Sequence, residues 1–137
     1  MNLDDIDKKI LDILSKDSRS AFTDIAGKLG LSEGTVRRRV KTLESGVIKR
    51  FTIETWEERP RALVLVSAAP AVPTSQIAER ILKLNGVDSA FEVAGQYDVS
   101  VIISGEDVAA INNCIDNIRD IEGVDVTNTL FVLRKWR

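Results

Sequence analysis

The sequence predicts an α+β chain in two parts: an N-terminal winged helix-turn-helix, then a ferredoxin-like βαββαβ sandwich. Three observations predict it. Apolar residues recur at helical spacing up to residue 44, with Gly30-Leu31-Ser32 as a short break before the last repeat. After Pro60 the pattern changes to strand, helix, strand, strand, helix, strand. Charge is also divided: residues 28–50 carry seven basic and two acidic groups, a net of +5, and residues 51–137 carry eight and thirteen, a net of −5. Since the whole chain has a formal charge of −2, one basic segment stands out from an acidic protein and is the part suited to a polyanion.

Asp4 or Asp5 is placed to cap a first helix on which Ile6, Ile10, Ile13 and Leu14 make one apolar face. After the polar break Lys16–Ser20, Phe22, Ile25, Ala26 and Leu29 carry a second helix, which Gly30 ends. Three residues with one glycine are the connection expected of a helix-turn-helix, and Leu31 should plug its corner. The stretch Leu29–Glu44 then supplies the basic helix. Ser32 can accept from a backbone N–H of its first turn, and Gly46 is expected to end it in the left-handed conformation. At about 100° per residue, Val36, Val40 and Leu43 form one narrow stripe, whereas Gly34, Arg37, Arg38, Lys41 and Thr42 fill the opposite arc. Arg39 lies at about 300°, beside the stripe.

Val47–Trp56 alternates enough to read as a wing or hinge strand, and Glu57-Glu58-Arg59-Pro60 marks the boundary. The predicted domains are therefore 1–50 for the helix-turn-helix, 51–60 for the wing or hinge strand and linker, and 61–137 for the sandwich. In the sandwich, Ala62–Ser67 is a strand closed by Pro70 and Pro73. Thr74 or Ser75 can cap a helix through Leu84, ended by Asn85-Gly86. Val87–Ala94 and Asp98–Ser104 make a hairpin about Gly95-Gln96-Tyr97. Ser104 can cap a helix carrying Val108, Ile111, Ile115 and Ile118, and Gly123 precedes a last strand, Val124–Leu133. Strands Ala62–Ser67 and Val99–Ile103 are apolar on both faces, so a partner chain should cover the face the helices leave open.

With 44% hydrophobic and 29% charged residues the composition is that of a folded globular chain, which excludes disorder. Cys114 is the single cysteine, so no internal disulfide forms, and its place between Ile111 and Ile115 makes it a core residue. The first residues are acidic and no apolar run approaches the ~20 residues that cross a bilayer; a soluble, cytoplasmic protein with no membrane partner is the expectation. Trp56 and Trp136 read as hinge or interface packing rather than nucleobase stacking.

The run Leu31-Ser32-Glu33-Gly34-Thr35-Val36-Arg37-Arg38-Arg39-Val40-Lys41-Thr42-Leu43-Glu44, followed by Gly46-Val47-Ile48, resembles the Lrp/AsnC (leucine-responsive and asparagine regulator) transcription factors. Gly95-Gln96-Tyr97-Asp98 before an apolar strand resembles the Gly-x-Tyr-Asp loop of that family's effector domain, the RAM domain. The resemblance spans nearly the whole chain. It implies a homodimer, assembled further into tetramers or octamers, that binds double-stranded DNA through the N-terminal part and senses amino acids at the C-terminal one. It implies no cofactor beyond an amino-acid effector. Two departures are the short connection Glu54–Arg61 and the chain's stop directly after the last strand.

On this reading the DNA-binding residues are Ser32, Gly34, Thr35, Arg37, Arg38, Arg39, Lys41, Thr42 and Lys49. Arginine forks bind guanine edges or phosphates, and Thr35 and Thr42 can bond phosphate or touch a thymine methyl. Arg39 matches the arginine usual at that family position, its stem packed and its head reaching a phosphate. A dimer would present two such helices to successive major grooves about 34 Å apart. The effector residues are Gly95, Gln96, Tyr97 and Asp98, with Asp98 holding the ammonium and the amides of the Gly95-Gln96 turn cradling the carboxylate. Thr127 and Thr129 resemble hydroxyl-bearing positions near the family's pocket, although strand residues of that type also simply pack.

Two other functions use the same features. Siroheme decarboxylases share the two-domain plan and would make the chain an enzyme, but the chemistry that resemblance implies relies on histidine, and the chain has none. A stand-alone oligomerisation or interaction module leaves the +5 segment unexplained.

Overall fold

The computed structural model describes residues 1–55 and 59–136. Trp56, Glu57 and Glu58 lie outside the described residues, and with them the hinge role read for Trp56 and the acidic pair of the boundary. The chain forms two compact units, Met1–Thr55 and Trp56–Arg137.

The first unit is three helices, α1 (Asp5–Lys16), α2 (Phe22–Leu29) and α3 (Glu33–Glu44). Asp4 is the cap of α1: its side chain accepts from the Asp7 N–H at 2.8 Å, and the Asp7 carboxylate accepts in return from the Asp4 N–H at 3.3 Å. This reciprocal box satisfies two of the N–H groups that a helix start leaves without partners. Gly30 ends α2 at φ 68°, a left-handed conformation that a side chain disfavours. The core is Ile10, Leu14, Ile25, Ala26, Val36, Val40 and Leu43, with Leu31 packed against it at the corner as expected.

Two features of this unit differ from expectation. Gly46 is not left-handed; Ser45 continues the right-handed backbone, and the Leu43 carbonyl accepts from Val47 and Ile48 at 2.7 and 2.8 Å. The Ser45 N–H to the Thr42 carbonyl and the Gly46 N–H to the Leu43 carbonyl, both at 3.2 Å, tighten the last turn, and the chain leaves it with no left-handed residue. Residues 48–55 form no strand, because a lone extended segment has no second segment in its own unit to build a ladder with. Instead they border an open groove of about 620 Å³ against the C-terminal end of α1, with Phe51 and Ile53 exposed.

The second unit holds β1 (Arg61–Ala68), α4 (Thr74–Leu82), β2 (Val87–Glu92), β3 (Val99–Ser104), α5 (Val108–Arg119) and β4 (Val124–Phe131). The sheet is antiparallel in the order β2-β3-β1-β4, the ferredoxin-like arrangement. Ala62, Val64 and Val66 of β1 and Val99, Val101 and Ile103 of β3 alternate into a core completed by Ile77, Ile81, Ile111, Cys114, Ile115 and Ile118. Burial, and then the charge of Asp88, push the Cys114 thiol above its ordinary range, so it stays neutral in that core.

Two predicted caps, one face and one strand end move. Neither Thr74 nor Ser75 caps α4; Pro73 stands at the cap and its carbonyl accepts from Gln76 and Ile77, since its fixed φ already suits a helix start. Ser104 stays in β3 and bonds Asp88 at 2.8 Å, while Asp107 caps α5 through the Ala110 N–H at 2.8 Å. That later start leaves Val108 on the first turn, 55% exposed, and outside the apolar face read for it. Strand β2 ends at Glu92, two residues early, because the hairpin closes where the Val93 N–H donates to the Asp98 carbonyl at 3.0 Å.

The capping box makes α1 sensitive to acid. The Asp7 N–H, and then the Arg39 guanidinium, hold the Asp4 carboxyl below its ordinary 3.8. A group whose folded pKa is depressed stabilises fully above its unfolded value and loses that contribution as pH falls through the folded one. The melting temperature of the N-terminal unit in the full chain should therefore fall on acidification below pH 3.8, and by less in Asp4→Asn, which keeps the cap without the titration.

Candidate functional site

The two regions marked by sequence fall in different units and are built differently. On α3, Val36, Val40 and Leu43 are buried at 0, 2 and 1% exposure, which turns the opposite arc to solvent. Ser32 caps the helix by accepting from the Thr35 N–H at 3.2 Å, and the two hydroxyls share a bond of 2.8 Å. Helix geometry leaves the N–H groups of Glu33 and Gly34 without intrahelical acceptors, and nothing lies within 4 Å of the space a Gly34 side chain would fill. A phosphate can approach the backbone there.

The basic residues of this helix are not equivalent. Arg38 and Lys41 are exposed and have no ion pair among the described residues. Arg37 is exposed as well, but it pairs with Glu33 and lies 5.2 Å over the Phe22 ring. Thr42 donates back to the Arg38 carbonyl at 3.1 Å, which leaves its lone pairs and methyl outward. Lys49 is exposed on the segment after the helix.

Arg39, expected to reach a phosphate, is bonded within its own unit. Its side chain is 26% exposed, and one terminal nitrogen donates to Asp4 at 2.7 Å and to Asp7 at 2.8 Å. The head meant for a phosphate is committed to α1, because 300° on α3 is the side where α1 begins. Sequence placed Arg39 beside the seam but held no sign of what lay across it.

At the hairpin between β2 and β3, Gly95 has φ 149° and Gln96 is exposed. Asp98 is tied twice to β1: its N–H donates to Val66 at 2.9 Å, and one carboxylate oxygen accepts from the Ala68 N–H at 2.8 Å. The second oxygen has no hydrogen bond among the described residues. The Tyr97 hydroxyl accepts from the Asn128 amide at 3.2 Å.

That bond separates the predicted effector residues. Asn128 pairs with Leu65 and lies on the sheet face away from the helices, whereas Thr127 and Thr129 pair with Val66 and Val64 on the helix-covered face. Thr127 accepts from Arg119 at 3.1 Å, and the Thr129 hydroxyl is buried with no partner among the described residues. Strand alternation alone sets this, since neighbours on β4 point to opposite faces. The threonines do share a face as expected, but it is not the face on which Tyr97 meets β4. Asn128 was missed; its parity with Leu130 and Val126 was the available signal.

The same open face carries Leu63, Leu65, Ile102, Phe91, Val126 and Leu130, the last three being 53, 54 and 49% exposed. No group of metal-ligating side chains occurs among the described residues, and none of their helices is long and apolar enough to cross a membrane.

Comparison with known proteins covers both units. The model of the AsnC-type helix-turn-helix domain matches residues 3–44, and that of the Lrp/AsnC ligand binding domain matches residues 61–137. The chain is 44% identical to the HTH-type transcriptional regulator LysM of Saccharolobus solfataricus, over 98% of this chain and 96% of that protein. It is 38% identical to the HTH-type transcriptional regulator FL11 of Pyrococcus furiosus, over 96% and 90%. Among solved structures, the feast or famine regulatory protein of Mycobacterium tuberculosis complexed with L-methionine superposes with a TM-score of 0.86 at 25% identity, over 99% of this chain and 95% of that one.

Proposed function

The chain belongs to the Lrp/AsnC family of transcriptional regulators, with a DNA-binding and a ligand-binding domain, and from that premise we propose how each domain works. The first unit reads double-stranded DNA with the outer arc of α3. The second binds a small amino acid at the Gly95–Asp98 hairpin and joins two chains through its open sheet face. The observation that carries the DNA assignment is the exposure of Arg38 and Lys41 without ion pairs, opposite a fully buried seam.

Arg38 can present its fork to a guanine edge, and Lys41 and Lys49 can neutralise phosphates. Gly34 admits a phosphate to the positive end of the helix dipole, with the hydroxyls of Ser32 and Thr35 beside it. Thr42 can meet a thymine methyl. Arg37 joins by exchanging Glu33 for DNA, since an exposed ion pair is worth little.

An amino acid needs an acceptor for its ammonium and donors for its carboxylate. Asp98 has one oxygen uncommitted, and the Gly95-Gln96 backbone supplies N–H groups at an exposed loop. Tyr97 and Asn128 add a phenol and an amide on the open face. The solved relative holding L-methionine supports this ligand class. Leu63, Leu65, Phe91, Ile102, Val126 and Leu130 are already partly buried, so covering each would recover about half or less of the roughly 1.5–3 kcal/mol that full burial gives, and the six together favour a homodimer. Tetramers or octamers would extend that contact. As a DNA-binding regulator the chain acts in the cytoplasm, and its named relatives are regulators rather than enzymes.

Two measurements follow. Replacing Arg38 and Lys41 by alanine should weaken binding to duplex DNA and flatten the log affinity against log salt slope by about 0.9, for the phosphate that Lys41 leaves without its cation; unchanged affinity and slope would remove this face from the interface. Calorimetric titration with the twenty L-amino acids should find at least one that binds, and Asp98→Ala should abolish its heat; no heat from any of them would rule out an effector at the hairpin.

A further inference from the structure

The Nη1 nitrogen of Arg39 is bonded to two carboxylates, while its Nε is buried with no hydrogen-bond partner among the described residues. Asp4 uses one carboxylate oxygen for the Asp7 N–H and the other for Arg39; Asp7 uses one for the Asp4 N–H and the other for Arg39. All four carboxylate oxygens are engaged, and two negative charges face one guanidinium. Swinging that nitrogen out to a phosphate would break both bonds, and the one to Asp7 is part-buried, where giving up a charge-assisted pair is costly.

The apolar seam alone leaves α3 poorly fixed. Val36, Val40 and Leu43 span only about 60° of the helix circumference, which sets its position against the core but resists rotation about its own axis weakly. At a side-chain radius of ~5–6 Å, a rotation of ~20° moves an outward group by about 2 Å, more than a hydrogen bond tolerates. A double tie at one flank of the seam removes that freedom, and Arg39 supplies it. Asp4 and Asp7 are themselves held by the first turn of α1, so the tie is anchored to backbone at its far end.

We infer that Arg39 is a positioning residue for DNA reading: by locking the rotation of α3 against the capping box of α1, it aims Arg38, Lys41 and Thr42 without touching DNA. The inference rests on the proposed DNA-binding face. It predicts that Arg39 contributes to affinity but not to counterion release, a combination that a phosphate-binding arginine cannot produce.

The test is binding of the full chain, across a salt series, to a fluorescent duplex enriched from a random-sequence library by the unmodified protein. Arg39→Met should bind about tenfold more weakly if only a tenth of its helices are correctly turned, with an unchanged salt slope. Asp7→Ala should weaken binding in the same way, and the double variant should lose little more than either one. A slope reduced by about 0.9 in Arg39→Met, or unaltered affinity, would overturn the inference. So would tighter binding by Asp7→Ala with a steeper slope, which is what release of a masked DNA-binding group gives. If Arg39→Met fails to fold by circular dichroism, Arg39→Lys and Asp7→Ala decide by the same criteria. Failure of the DNA assignment is distinct: then no duplex is enriched, or Lys41→Ala leaves the slope of the unmodified protein unchanged and Arg38→Ala leaves its affinity unchanged.

Discussion

Helix α3 has one apolar stripe and buries it completely, and what the first unit presents to solvent depends on that burial. Val36, Val40 and Leu43 would each lose roughly 1.5–3 kcal/mol if turned outward, so no placement that exposes the stripe competes. With the stripe inward, Gly34, Arg38, Lys41 and Thr42 have nowhere to go but out. Burial of three side chains thus selects a basic surface, and the Ser32 cap and the Gly30 turn fix where along the chain that surface begins.

The second unit applies the same logic to a sheet. Alternation on β1 and β3 sends Val64, Val66, Val99 and Val101 beneath the helices, and so commits Leu63, Leu65 and Ile102 to the other side. The Asp98 bonds then hold the β2–β3 hairpin against the end of β1, next to the irregularity at Ser67 and Ala68. Tyr97 and Asn128 meet over the open face, beside the apolar residues proposed to contact a second chain. A ligand at the hairpin would therefore adjoin that contact, a placement suited to coupling effector and assembly.

Much of this was legible in the sequence, and where it was not the reasons are physical. Helical spacing and capping residues identified α1, α2 and α3, and the strand and helix order identified the sandwich, since these depend on near neighbours. Ser104 and Asp107 are both sound caps; only the partner Asp88 across the hairpin decided between them. The sequence pattern does not reveal the role of Arg39, because its partners lie 32 and 35 residues away. Thr127 and Thr129 share a face, as their spacing requires, but which face depends on their pairing with β1, which a single strand does not encode.

The central claim is that the outer arc of α3 enters a major groove. Methylation protection of the enriched duplex tests it most directly, because dimethyl sulfate attacks guanine N7 on the major-groove edge. The account predicts two protected patches about 34 Å apart on one side of the duplex, abolished in a variant lacking Arg38 and Lys41. Full binding with every guanine N7 still reactive, or protection that persists in that variant, would contradict it.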